Sequence, residues 1–221
     1  MFYMLKKEIL KHILIWTGAV AGLVAVFFLM YFFLWQNNGN DSRTYDIELN
    51  DADWKSGNPE AKIVLVEYSD FQCPACAVYF SVVDQLLKDY SDDILFVYRH
   101  FPLRTIHPHA EIAAYAAEAA GRQGKFWEMY EKLFRSQALW SLEKNAKQTF
   151  LGYANELGLA ETKFLEDLES NTVKEKVIKD YQSGLRIQIN ATPTFFLNGK
   201  KLQNPAGYEA FKKIIDSELN R

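Results

Sequence analysis

Residues 13–35 (ILIWTGAVAGLVAVFFLMYFFLW) run 23 positions without a charge, opening at Ile13 and closing at Trp35. As a helix this segment is about 34 Å long, enough to cross a hydrocarbon core of roughly 30 Å. It is apolar on every face, so a one-sided place on a soluble core does not suit it. A cleaved leader has an apolar region of only about 7–15 residues and ends in small residues. This run ends in bulky Tyr31-Phe32-Phe33-Leu34-Trp35 and reads as an uncleaved signal-anchor. Lys6, Lys7 and Lys11 precede it, whereas Asp41, Asp46, Asp51 and Asp53 follow with only Arg43. The positive-inside tendency places residues 1–12 in the cytoplasm and the rest beyond the membrane, in the cell envelope. Trp16 and Trp35 stand near the two ends, as interfacial aromatics do.

Downstream, residues 36–53 are polar and read as a tether, with one edge-strand candidate at residues 44–49. Residues 54–219 hold enough apolar and aromatic side chains for one packed domain, since the chain is 49% hydrophobic and 15% aromatic. Its formal net charge of −3 argues against a nucleic-acid partner. Residues 54–59 (WKSGNP) carry turn chemistry. Residues 63–68 form an apolar strand, residues 74–89 repeat apolar positions at helical spacing, and residues 94–98 form a second strand. A strand, a helix and a strand in this order predict a right-handed crossover and a parallel pair. A helical block follows, Ala-rich over residues 108–135 and interrupted at Gly121 and Gly124, with further helices over 143–157, 161–169 and 172–187. Strand character returns at residues 194–197, where Asn198-Gly199 predicts a tight hairpin into residues 200–202. Residues 208–219 close the chain as an amphipathic helix.

The only two cysteines lie in Phe71-Gln72-Cys73-Pro74-Ala75-Cys76, at the junction of the first strand and its helix. Cys73 falls at the N-cap or first turn, with Pro74 suited to the first helical position. The helix dipole and free N–H groups there favour a thiolate. Cys76, one turn on, is placed to attack a mixed disulfide on Cys73. A zinc or iron–sulfur site needs about four protein ligands. Only His107 and His109 could complete one, at atypical spacing, so no metal is expected.

Val66-Glu67-Tyr68-Ser69-Asp70-Phe71-Gln72-Cys73-Pro74-Ala75-Cys76 resembles the active-site segment of the DsbA-like thiol–disulfide oxidoreductases. Phe101-Pro102-Leu103 with His107-Pro108, the stretch AAGRQGKFW at residues 119–127, and ATPTFFLNG at residues 191–199 match the same family in the same order. The resemblance covers residues 54–219 and implies an α/β thioredoxin-like fold (βαβ then ββα) with an inserted all-helical domain at about 104–188. A single transmembrane helix would precede it. It implies that Pro193 is a cis-proline facing the dithiol, and that Thr192 offers backbone groups to an extended substrate beside Cys73, Pro74 and Ala75. It also implies that Glu67 is a buried acid beneath the pair, with a pKa raised by desolvation, relaying the proton of Cys76. An exposed strand-end position for Glu67 is the alternative.

His100, His107 and His109 are read as surface or helix-capping residues. Phe126 and Trp127 are read as packing the helical block, and Phe71 and Gln72 as shaping the substrate-facing rim. The implied activity is extracytoplasmic thiol–disulfide exchange that donates disulfides to exported cysteine-containing proteins. It needs no cofactor beyond a Cys73–Cys76 disulfide, and a quinone-linked membrane thiol oxidase would reoxidise the pair. The same residues could serve a reductase or an isomerase, and the groove at Pro193 could serve a non-catalytic peptide-binding module.

Overall fold

The computed structural model describes residues 2–36 and 43–221, and the chain divides into two units, Met1–Asp41 and Ser42–Arg221. Residues 37–42 of the expected tether lie outside the described residues. In the first unit a single helix, α1 (Phe2–Gln36), contains the apolar run. None of its segment Trp16–Phe33 is buried, and the segment is long and apolar enough to cross a membrane.

The second unit is built on a five-stranded sheet in the order β1-β3-β2-β4-β5. Strand β2 (Ile63–Ser69) enters α2 (Pro74–Asp89) and returns as β3 (Ile94–His100), parallel to β2 with Val66 opposite Val97. Both strands are covered on two faces, which explains why they read as nearly continuous apolar runs. Strand β4 (Thr194–Leu197) pairs antiparallel with β2, placing Phe195 opposite Glu67. Asn198 (φ 46°) and Gly199 (φ 77°) then turn the chain into β5 (Lys200–Lys201). Two successive positive φ angles suit the right-handed strand twist, and Asn-Gly supplies them at low cost. Helix α9 (Tyr208–Leu219) closes the fold, burying Phe211 and Ile215.

Between β3 and β4 lie α3 (Ala110–Gly121), α4 (Phe126–Arg135), α5 (Gln137–Trp140), α6 (Ala146–Glu156), α7 (Glu161–Glu169) and α8 (Asn171–Arg186). The alanines of α3 at 113, 116, 117 and 120 are buried and admit close neighbours. Strand alternation divides the core. Leu65, Phe96 and Tyr98 pack toward α2 and the helical block, while Val66, Tyr68, Val97 and Phe196 face the other side with Phe101 and Ile189.

Two expectations need correction. The predicted turn at residues 54–59 begins later, because Trp54–Gly57 is strand β1, antiparallel to β3. Tertiary contacts decide this: the Trp54 ring stacks on Phe126 at 4.1 Å, and its Nε1 donates to Glu118 at 2.7 Å. Residues 44–49 contribute only an isolated bridge from Thr44 to Lys200. The segment is held by side chains instead. Buried Arg99 donates to Asp53 at 2.8 and 2.9 Å and to the Glu48 carbonyl at 2.6 Å.

Candidate active site

Strand β2 ends at Ser69, and the next four residues set the geometry of the dithiol. Asp70, 2% exposed, accepts the Gln72 N–H on one carboxylate oxygen at 2.8 Å. Its other oxygen accepts the Leu103 N–H at 2.8 Å and lies 2.7 Å from His107 Nδ1. The Asp70 carbonyl accepts the Cys73 N–H at 3.0 Å. An aspartate bonding the backbone two residues on is a turn-former, and here it delivers Cys73 to the N-cap of α2 with Pro74 as the first helical residue.

Both cysteines are free thiols in this structure. Cys73 is 7% exposed and Cys76 is fully buried, while Pro74 and Ala75 are exposed beside them. The Cys73 Sγ donates to the Thr192 carbonyl at 3.3 Å. The Thr192–Pro193 peptide is cis, and Asn204 Nδ2 holds the Pro193 carbonyl at 2.8 Å. Three segments far apart in sequence therefore meet at one sulfur.

The electrostatics separate the two thiols. A hydrogen bond from the Cys76 thiol pulls the Cys73 pKa down to about 5, against the opposing effect of burial. The Thr192 side chain and the backbone N–H groups of Cys76 and Ala75 add to the fall. Cys76 moves the other way. Burial, its bond to Cys73 and the nearby Glu67 charge raise it well above the ordinary thiol range. At neutral pH the outer sulfur is a thiolate and the inner one keeps its proton.

Glu67 lies within the strand behind the pair, 1% exposed, so the strand-end alternative does not hold. Burial pushes its pKa up to about 8; the Ser69 hydroxyl tempers the rise and the Cys73 charge adds to it. Among the described residues its Oε2 has no hydrogen-bond partner, nor do the buried hydroxyls of Tyr98 and Tyr130. Tyr98 stands opposite Glu67 in the β2–β3 register. Burial and the Glu67 charge raise both tyrosines well above their ordinary range. A carboxyl with an open oxygen behind a high-pKa thiol can hold and exchange a proton.

Other expectations change. Phe71 is not on the rim: it is 1% exposed, packed against Phe134 at 4.9 Å and Tyr98 at 5.3 Å. Gln72 is also buried, bonded to His109 N and the Ser141 carbonyl. His100 is no surface residue either. It is buried, with Nε2 at 2.8 Å from Glu118. Lys176 lies beside the same cluster, 2.6 Å from Asp180. His107 turns to Asp70, and His109 Nε2 lies 2.7 Å from the Glu143 carbonyl, so neither histidine faces the cysteines. Phe126 and Trp127 pack at the seam with the sheet, against Trp54 and Phe96. Asp70 entered the sequence reading only as part of the family segment, with no role, and Gln137 did not enter it. Gln137 donates to the carbonyls of Phe71 and Cys73, and nothing local in a four-residue helix announces such a reach.

Residues 50–217 match the family model described as Thioredoxin. The Na(+)/H(+) antiporter NhaA 1 of Salinispora arenicola is 37% identical over 167 residues, covering 76% of this chain and 25% of that protein. The Na(+)/H(+) antiporter NhaA 1 of Mycolicibacterium vanbaalenii is 40% identical over 159 residues, covering 70% and 25%. The chain thus spans about a quarter of the length of these curated relatives. Among solved structures, oxidised BdbD from Bacillus subtilis superposes with a TM-score of 0.72 at 26% identity, covering 82% of this chain and 100% of that one. The alpha-DsbA1 of Wolbachia pipientis shares the fold, with a TM-score of 0.70 at 22% identity and coverages of 79% and 94%. With its dithiol at the head of α2 and a helical block between β3 and β4, the chain belongs to the thioredoxin family and has the fold of its DsbA-like members.

Proposed function

We propose that the chain donates disulfides to exported cysteine-containing proteins through Cys73 and Cys76, from a domain tethered outside the cytoplasm. The observation that carries this reading is the asymmetry of the two sulfurs: Cys73 stands at the N-cap of α2 beside the cis Thr192–Pro193 peptide with its pKa pulled down, whereas Cys76 is fully buried with its pKa pushed up. A stabilised Cys73 thiolate favours the reduced dithiol, which makes the disulfide a stronger oxidant.

In the first step a substrate thiolate attacks Cys73 Sγ of the disulfide. A substrate–Cys73 bond forms, the Cys73–Cys76 bond breaks, and Cys76 leaves as a thiolate. Glu67, protonated below about 8, passes its proton to the Cys76 sulfur, which is the more basic of the two. A second substrate thiolate then attacks the substrate sulfur and expels Cys73 as a thiolate. The substrate has lost two electrons and the dithiol has gained them. Thr192 and Pro193 flank the reacting sulfur and, with exposed Pro74 and Ala75, form the surface for an extended chain. A quinone-linked thiol oxidase in the membrane returns the pair to the disulfide, and the sequence has no third cysteine to compete for it.

The location rests on residues 13–35 as the anchor and on Lys6, Lys7 and Lys11 as its cytoplasmic flank. Residues 36–53 then serve as tether and residues 54–219 as the catalytic domain, with the helical insertion over about 104–188. To test the reading, the oxidised full chain in detergent is mixed at pH 7 with a reduced, unfolded two-cysteine polypeptide. About one disulfide should move per chain. If the polypeptide stays reduced, while the reduced chain opens its disulfide form, the protein is a reductase.

A further inference from the structure

One buried side chain of the helical block bonds twice to the active-site loop. Gln137, 8% exposed, donates from Nε2 to the Phe71 carbonyl at 2.6 Å and to the Cys73 carbonyl at 2.9 Å. A carboxamide nitrogen has two hydrogens, and each is used on the backbone of the redox loop. The two carbonyls belong to the peptide units that bracket Gln72 and Cys73. The second is also the first acceptor of α2, taking the Ala77 N–H at 3.3 Å. Gln72 answers in the opposite direction, donating to the Ser141 carbonyl at 3.2 Å and accepting the His109 N–H at 2.6 Å. Partners 37 to 69 residues away in sequence thus fix three consecutive residues.

This matters because the stabilisation of Cys73 is directional. The thiolate draws on the Cys76 thiol, the Thr192 side chain and the N–H groups of Ala75 and Cys76. Cys73 sits in extended backbone at φ −71° and ψ 122°. Its Sγ therefore points wherever the peptide planes on either side direct it. A bond weakens steeply once its angle opens, so small rotations of those planes cost the thiolate several contacts together.

We infer that Gln137 is a positioning residue for Cys73: it aims the nucleophilic sulfur at its donors from within the helical block, without touching substrate. The inference rests on the oxidoreductase reading and extends it to a residue outside the thioredoxin sheet. Without Gln137 the loop keeps its Asp70 turn and its N-cap, but the Phe71 and Cys73 carbonyls lose the carboxamide donor that ties them together.

The test uses the full chain in detergent with two variants, Gln137→Met, which keeps length and loses both donors, and Gln137→Glu, which keeps shape and places acceptors against the carbonyls. Thiolate absorbance near 240 nm is followed against pH, and the equilibrium with glutathione is measured. In both variants the Cys73 midpoint should rise by about one pH unit. The oxidising equilibrium constant should fall about tenfold, equal to roughly 30 mV. If the wild-type chain does not equilibrate with glutathione, the oxidoreductase reading fails. If the wild type equilibrates and a folded variant keeps both its midpoint and its constant, the positioning role fails. Should neither variant fold, Gln137 is a structural residue and the inference is overturned as well.

Discussion

Replacing Cys73 with Ser should reduce thiol–disulfide exchange to background, a loss of at least about a thousandfold, as expected when a covalent nucleophile is removed. Replacing Cys76 with Ser should instead leave covalent complexes joined through Cys73. The two outcomes differ because the two sulfurs sit in opposite environments. Cys73 is the partly exposed one, beside Thr192 and the free N–H groups of α2, and its pKa near 5 keeps it ionised. Cys76 is fully buried and its pKa is raised, so it meets no substrate and acts only on a disulfide already held at Cys73. Nonreducing gels of the full chain with a reduced test polypeptide check both variants. Trapping by Cys73→Ser, or none by Cys76→Ser, would reverse or cancel the assignment.

The second large effect is on stability against pH, and its sign depends on redox state. In the reduced protein the Cys73 pKa falls from 9.0 in the ordinary thiol to about 5. Between those values the unfolded chain holds a proton that the folded chain has lost. Stability from this group therefore increases as pH rises through that window, by at most about 1.4 kcal/mol per pH unit. It is fully present above about 9 and gone below about 5. Glu67 works the other way. Its folded pKa of about 8 lies above the ordinary 4.5, so its burial costs nothing below about 4.5 and most above about 8. In the disulfide form Cys73 cannot titrate, and of these two groups only Glu67 still contributes its decline. Denaturant unfolding of both redox forms from pH 5 to 9 should show the reduced form gaining on the oxidised one. Glu67→Gln should flatten the decline of the oxidised form. Parallel curves for the two redox forms would mean that Cys73 is not stabilised as a thiolate.

Local patterns carried much of the fold. The span of α2 (Pro74–Asp89) was legible because Pro74 marks its start and its apolar residues recur at helical spacing. The hairpin at Asn198-Gly199 was legible because few residue pairs accept two positive φ angles. Glu67 stood out as an acid in an apolar strand, and the Thr192–Pro193 peptide came with the family resemblance. What local pattern missed depends on distant partners. Trp54–Gly57 becomes a strand because β3 offers an edge and Phe126 a stacking face. Phe71 and Gln72 looked like a rim because they precede the dithiol. Their burial comes from Phe134, Ser141 and His109, all supplied by the helical block. His100 closes a strand but pairs with Glu118, brought there by the packing of α3. No spacing rule reports such meetings.

The direction in which the pair moves electrons decides what the protein does. Its most direct test is the reduction potential of the Cys73–Cys76 couple in the full chain, equilibrated against glutathione at pH 7. Stabilisation of the Cys73 thiolate predicts a value near about −120 mV, in the range of strong disulfide donors. A value near about −270 mV, in the range of dithiol reductants, would contradict it.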